Sequence, residues 1–416
     1  MQYLREITGN WRPLLAASLG LAAGTISTYV NNLFSPSLIA EFGWAKSDFA
    51  LIGLTVAFAA ICLPIAGRIA DRVGTRRIAM VGVAGLPLVF AGLATMNGSF
   101  GLFFMLSTLQ MLIVSSLAGA VVYTRLIAQK FSMARGVALG IASCAPPAAT
   151  ALLSPLLSMV IADHGWRMGY VGLGIYSAVF GAIALWLIPA DTDGHRKAAT
   201  GLRLGRQGYM AILRDPAFLL IFGALLLCNL HFTIQTTQLK VILMDRGLGA
   251  DIGSLMVSVF ATGVVIGRIA CGLALDRFPT HLVAVVSFAI PAVGLGILAS
   301  EAPGLAMVTA AIMCLGLSLG AEGDLAVYLA AKYFRQDIFS SVLGLFTGAM
   351  AVSATIGAGI LSLLLMQFAS YTPFLIFTAA SMMLGALSFL LLPRLAARRA
   401  GGADASGVAN GETVAI

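Results

Sequence analysis

The sequence predicts an all-α membrane protein of twelve transmembrane helices in two pseudo-symmetric six-helix bundles, and three observations predict it. Hydrophobic residues make up 59% of the 416 and charged residues only 10%, with a mean hydropathy of +0.97. A soluble chain of this length cannot hide so much apolar surface. Twelve apolar runs have spanning length, and three short anchors recur between the halves at a nearly constant offset.

The spans follow in order. Span 1 (13–38) comes after a short segment holding Arg5 and Glu6 and carries no cleavage signature, so it reads as a helix that stays in the membrane. Span 2 (48–66) runs into the basic loop Gly67–Arg77, and span 3 (77–96) leaves it. Span 4 (101–129) contains Arg125 and ends at Lys130. Span 5 (136–161) starts after Arg135 and carries Pro146 and Pro147, which remove backbone donors and predict a kink. Span 6 (167–189) closes at Pro189. Span 7 (216–243) holds His231, and span 8 (252–275) holds Arg268. After span 9 (280–300), span 10 (304–331) holds Glu322 and Asp324. Spans 11 (338–367) and 12 (371–393) complete the set. Several runs exceed the ~20 residues needed to cross, which predicts tilt.

The cations choose a side. Arg5, Arg12, Arg68, Arg72, Arg76, Arg77, Lys130, Arg135, the linker cluster Arg196, Lys197, Arg203, Arg206 and Arg214, then Arg277, Lys332, Arg335, Arg394, Arg398 and Arg399 share one side. That is 19 of the 25 Lys and Arg. The opposite side has Lys46, Arg167, Lys240 and Arg246, leaving Arg125 and Arg268 within the membrane. Positive loops stay inside, so both termini are expected in the cytoplasm. The +8 net charge is therefore a topology signal, and no nucleic acid partner is expected. The five cysteines all fall in apolar runs with no metal-ligand spacing, and no metal or cofactor is expected.

The repeat divides the chain. Gly67-Arg-Ile-Ala-Asp71-Arg72 returns as Gly272-Leu-Ala-Leu-Asp276-Arg277, shifted by 205. Lys130-Phe131 returns as Tyr333-Phe334, and Pro189 as Pro393. The expected units are a first bundle at 1–189, a basic linker at 190–215, a second bundle at 216–397 and a small, polar, disordered tail at 398–416. Repeated halves joined by a loop are the build of transporters that hold substrate between the halves near the midplane.

The stretch Gly67 to Arg77 resembles the signature loop of the major facilitator superfamily. The resemblance implies a conformational latch formed by Gly67, Asp71, Arg72, Gly74, Arg76 and Arg77. Further motifs are similar to the monocarboxylate porter and oxalate/formate exchanger branch: Glu41-Phe42-Gly43-Trp44, Arg135-Gly136-Val137-Ala138-Leu139-Gly140, Gly165-Trp166-Arg167, Gly267-Arg268-Ile269 and Glu322-Gly323-Asp324. By that resemblance Arg268 stands where the branch has its carboxylate-binding arginine. Three departures matter. Val264 replaces the aspartate one turn before that arginine, and no lysine occurs in span 1 or in 338–366. The proton-coupling residues of those relatives are therefore not carried over.

The intramembrane polar residues carry the chemistry. A permanent cation in apolar surroundings costs from roughly 3 to over 10 kcal/mol, so it serves a pathway or a partner. Arg268 offers two parallel hydrogen bonds to a carboxylate, or else a structural ion pair with an acid of another helix. Arg125 is a second anion contact, a residue that snorkels to the headgroups, or a partner of an acid on span 10. Glu322 and Asp324 stand about 200° apart around span 10, so one can pair with an arginine while the other carries a proton, or both can lock helices together. His231, Gln235 and Gln238, at i, i+4 and i+7, form a polar stripe on span 7. Thr25, Tyr29 and Asn32 repeat that spacing on span 1, as expected if both stripes line one cavity. His231 is a further proton-carrying candidate.

The resulting expectation is a secondary transporter of a small organic anion, a monocarboxylate foremost, by proton symport or anion exchange. Its partners are that anion, a proton or counter-anion and the lipid bilayer, and the fold can work as a monomer. Short loops point to a bacterial inner membrane. A drug efflux pump of the same fold is the alternative, disfavoured by two buried arginines set against two acids. No nucleophile–base pair or phosphate-cradling loop suggests an enzyme.

Overall fold

The computed structural model describes residues 2–58, 60–61, 75–116, 123, 126–127, 129–131, 133–188, 210, 212–301, 304–335 and 338–395. Among them there are helices and no strands. Eight helices are long and apolar enough to cross a membrane, and the longest of these contains two spans. Residues far from any core, such as Trp186, Leu88, Leu384 and Val286, are apolar and exposed. An outward-facing apolar coat is what a bilayer requires. The protein is a multi-pass, all-α membrane protein with the predicted two-bundle build.

Span 1 is Trp11–Phe42, preceded by a short helix Gln2–Gly9. Gly43 ends it in the left-handed conformation (φ 65°), where a side chain would be strained. Span 2 starts at Lys46–Ala50 and tightens at Leu51–Leu54. Spans 3 and 4 are seen as Thr75–Ala94 and Phe100–Ser116. Spans 5 and 6 form one run, Arg135–Leu187, broken only at Gly165 (φ 83°, ψ 164°). Helix continues through Pro146 and Pro147, so the expected kink produces no break.

Span 7 differs from the single helix predicted. It runs Pro216–Cys228, turns, widens into an i→i+5 segment at Ile234–Gln238, and resumes as Leu239–Asp245. Spans 8 to 12 follow as Ala250–Arg277, Thr280–Ala299, Leu305–Tyr333, Phe339–Phe368 and Thr372–Ser388. The linker and tail boundaries fall outside the described residues, apart from 210 and 212–215.

Spans 8 and 10 touch backbone to backbone. A Cβ on Gly267 would collide with the carbonyl oxygen of Leu317, and one on Gly320 with that of Val264. Small residues at a crossing replace the hydrophobic drive that lipid cannot supply. Arg268 therefore sits on a helix whose neighbouring residue is clamped, which fixes where its side chain starts.

Two of the sequence motifs meet each other at the far end from the termini. Glu41 accepts hydrogen bonds from the indole of Trp166 and, at 2.7 Å, from Arg167, whose guanidinium lies 4.3 Å from the Trp166 ring centre. Trp44 donates to the carbonyl of Gly98 at 3.1 Å. Both charged side chains are about half exposed, at 47% and 40%. Screened pairs of this kind contribute little, roughly 0–1 kcal/mol. Glu41→Ala is accordingly expected to lower the melting temperature in detergent by only about 2 °C, a shift set by a ΔΔG below ~1 kcal/mol. Thermal unfolding followed by intrinsic tryptophan fluorescence checks this, and a collapse of the protein would show that the clamp carries more.

Hydrogen bonds between the two bundles, among the described residues, all lie toward that same far end. Ser35 donates to the carbonyl of Thr237 at 2.6 Å, and the hydroxyls of Ser154 and Ser258 are 2.6 Å apart. Ser158 meets Ser254, which also accepts from the Lys240 ammonium at 2.9 Å. Lys46 and Asp245 form the charged contact of the set, at 2.6 Å.

Candidate functional site

Arg268 lies nine residues before the end of span 8 at Arg277, or about 13 Å along the axis. It is half-buried, and its Nε is buried without a hydrogen-bond partner. No carboxylate among the described residues comes within the 4.0 Å of an ion pair with it. Its charge acts on Tyr29 of span 1, Cys144 of span 5 and Asp324 of span 10. The guanidinium therefore faces both bundles and holds donors in reserve. A buried cation with unused donors is suited to an anion that arrives and leaves.

The two acids separate as their spacing on span 10 requires. Asp324 is half-buried on the Arg268 side. Glu322, 2% exposed, points instead into the second bundle, where it accepts from the Ser318 hydroxyl at 3.1 Å and its charge reaches Cys228 of span 7.

The polar stripe of span 7 is knitted into the fold. His231 Nδ1 lies 2.9 Å from the carbonyl of Cys228 and Nε2 lies 2.6 Å from the Gln235 amide nitrogen. A carbonyl only accepts, so Nδ1 carries the hydrogen and Nε2 accepts from Gln235; the ring is neutral in this arrangement. Gln238 accepts from the Tyr371 hydroxyl at 2.8 Å. The Gln235 Oε1 and the Gln238 Nε2 remain buried without partners.

Asn32 explains the widened segment. Its amide nitrogen donates to the carbonyl of Gln235, and its oxygen accepts from the backbone N–H of Leu239 at 3.0 Å. Those two backbone groups would bond to each other in an α-helix. The Asn32 side chain, reaching over from the other bundle, stands between them and completes both. Insertion of a side chain into the ladder is a recognised cause of local widening.

Other predicted residues are placed as follows. Tyr29 is half-buried on the Arg268 face, and Thr25 bonds within its own helix to the Leu21 carbonyl. Arg125, Gly67, Asp71, Arg72 and Gly74 lie outside the described residues. Arg76 and Arg77 sit in the first turn of span 3. Nothing in the sequence pairs Lys46 with Asp245, since the loops after spans 1 and 7 each carry charges of both signs.

Two voids flank this arrangement, and neither is centred on Arg268. The larger, about 400 Å³, is an apolar groove outside spans 8, 9 and 10. The smaller, about 40 Å³, lies between spans 1, 2, 4 and 7, where Ser27, Asn31, Gln110 and Thr237 share its lining with apolar residues.

Comparison with known proteins agrees with this build. Monocarboxylate transporter 11 from Homo sapiens is 24% identical over 404 residues, covering 93% of this chain and 84% of that protein. A gallate transporter from Pseudomonas putida is 24% identical over 399 residues, covering 85% of this chain and 86% of that protein. Among solved structures, the nucleoside transporter NupG superposes with a TM-score of 0.73 at 13% identity, over 92% of this chain and 99% of that one. A D-xylose-proton symporter superposes with a TM-score of 0.68 at 15% identity, over 93% and 97%. At such identities these two structures speak to the fold alone. The family model of the Major Facilitator Superfamily matches residues 16–253, more than half of the chain, and with the two-bundle fold this shows that the protein belongs to that superfamily of transporters.

Proposed function

We propose that this protein is a secondary active transporter of small organic anions, monocarboxylates foremost, working by alternating access with proton symport or anion exchange. The observation that carries the reading is Arg268: a half-buried guanidinium at the bundle interface with an unpartnered Nε and no ion pair among the described residues. The similar proteins named for monocarboxylate and gallate transport support it, since a carboxylate is common to both substrate classes.

In this mechanism Arg268 binds the carboxylate through two donors, with Arg125 as a second anion contact. Tyr29 orients the substrate beside Arg268, and the unused amide groups of Gln235 and Gln238 provide further hydrogen bonds. Asp324 is the favoured proton carrier over Glu322 and His231, because it shares the Arg268 charge. A bound carboxylate takes that charge for itself, and a proton on Asp324 restores neutrality. The bundles 1–189 and 216–397 rock about this point, with the loop at Gly67–Arg77 as latch. With both termini in the cytoplasm of a bacterial inner membrane, the hydrogen-bonded end faces outward and the conformation described is closed to the outside. A monomer suffices.

The test is reconstitution in liposomes with a pH-sensitive dye, offering lactate, pyruvate, oxalate, formate and gallate one at a time. External alkalinisation with one anion is the expected result for symport. Counterflow of labelled anion without a pH change indicates exchange. Failure of both, together with drug-dependent proton movement, overturns the anion reading in favour of efflux.

A further inference from the structure

The apolar groove on spans 8, 9 and 10 has no role in the mechanism above. It runs along the outer face of span 8 from Gly267 through Ala270 and Ala274 to Phe278, and span 9 walls it with Leu282, Val286 and Ile290. Its floor exists because residues there are small and spans 8 and 10 are in backbone contact at Gly267. The polar side chains in its lining are Ser287 and Cys271, whose thiol lies 3.9 Å from the carbonyl of Ala321. The rest of its lining is apolar along its length. Eleven residues separate Gly267 from Phe278, about 16 Å at 1.5 Å per residue. That matches one leaflet of a hydrocarbon core of about 30 Å.

The mouth has the opposite character. Phe278, 62% exposed, and Leu282 stand there, each directly preceded by a basic residue, Arg277 and His281. Lys332 of span 10 reaches across to the Thr280 hydroxyl at 3.2 Å, and its charge acts on His281. The acid nearby, Asp276, is turned to the Tyr328 hydroxyl. An apolar slot one leaflet deep, opening under Arg277 and Lys332, fits a molecule with an acyl chain and an anionic head.

We propose that this groove binds an anionic phospholipid, one acyl chain lying along Gly267–Phe278 and the phosphate resting on Arg277 and Lys332. Phospholipid is favoured over a free fatty acid because the mouth offers cations from two spans, enough to engage a phosphodiester with its neighbouring headgroup oxygens. Bound there, the lipid braces the helix that carries Arg268 along its groove-lining face.

The full-length protein, equilibrated in mixed micelles holding equal dioleoyl-phosphatidylglycerol and dioleoyl-phosphatidylcholine, is read by native mass spectrometry. Retention of phosphatidylglycerol should exceed that of phosphatidylcholine by roughly fivefold for each of the two cations. Arg277→Gln with Lys332→Gln should bring the ratio close to one. Ala274→Trp, or Val286→Trp if the first fails to fold, should fill the groove and lower retention of both lipids. Phosphatidylglycerol should raise the melting temperature of the wild type and of neither groove variant. Equal retention of the two lipids by the wild type overturns the proposal, as does undiminished retention by a folded groove variant. Displacement of phosphatidylglycerol by equimolar oleate assigns the groove to fatty acids and overturns it equally.

Discussion

Arg268→Ala is expected to abolish uptake of the transported anion, lowering the initial rate by a factor of 10² or more, while the protein still folds. Hydrogen bonds to charged groups contribute about 1.5–3 kcal/mol each, and a carboxylate on the guanidinium fork makes two. The sum, about 3–6 kcal/mol, corresponds to roughly 10²- to 10⁴-fold in binding. Folding should survive because Arg268 makes no ion pair with the described residues, and Asp324, the half-buried acid that shares its charge, can take up a proton in its place. Arg268→Lys keeps the charge and loses the planar fork, and should fall between the two. Initial rates of labelled-anion uptake into liposomes, with size-exclusion profiles as the folding control, measure both. Uptake unchanged in Arg268→Ala would remove the anion site from this helix.

Asn32→Ala should shift the protein away from the conformation described. The Gln235 carbonyl and the Leu239 N–H have the Asn32 amide as their shared partner. Leaving two buried backbone groups unpaired costs about 1–3 kcal/mol each. The segment escapes that cost only by closing into an ordinary α-turn, which pulls span 7 off span 1. A cost of about 2 kcal/mol corresponds to roughly thirtyfold in the balance between closed and open forms. Cysteines placed at Ser154 and Ser258, whose hydroxyls lie 2.6 Å apart between the bundles, report that balance through disulfide yield under mild oxidation. The yield should drop in Asn32→Ala and less in Asn32→Asp, which keeps the acceptor. An unchanged yield would mean that the widened segment stands without its clasp.

What the sequence reveals and what it hides divide along physical lines. Span 8 was predicted at 252–275 and is observed at Ala250–Arg277, because membrane thickness and solvation set the ends of an apolar helix. Arg268 stands out because a cation in an apolar run has few explanations. The roughly 200° between Glu322 and Asp324 also carries over, since span 10 is regular there. Span 7 is different. Nothing between Asn229 and Gln238 is glycine or proline, so its widening has no local signal. The cause is a side chain 203 residues away. The even polar stripe of His231, Gln235 and Gln238 was likewise reckoned on α geometry, which that insertion disturbs. The Lys46–Asp245 contact is hidden for the same reason: it depends on which surfaces of the two bundles meet.

The serines between spans 5 and 8 bear on how readily the bundles part. Ser254 already donates to the carbonyl of Ala250, four residues back in its own helix, at 2.8 Å. A serine that loses its partner across the interface can turn to such a carbonyl, so separation leaves no hydroxyl stranded in the dry interior. The contact is thus a set of exchangeable couplings, held closed by shape and proximity and released at small enthalpic cost. Being uncharged, these couplings should also be insensitive to ionic strength, and salt would act on the closed form mainly through Lys46 and Asp245.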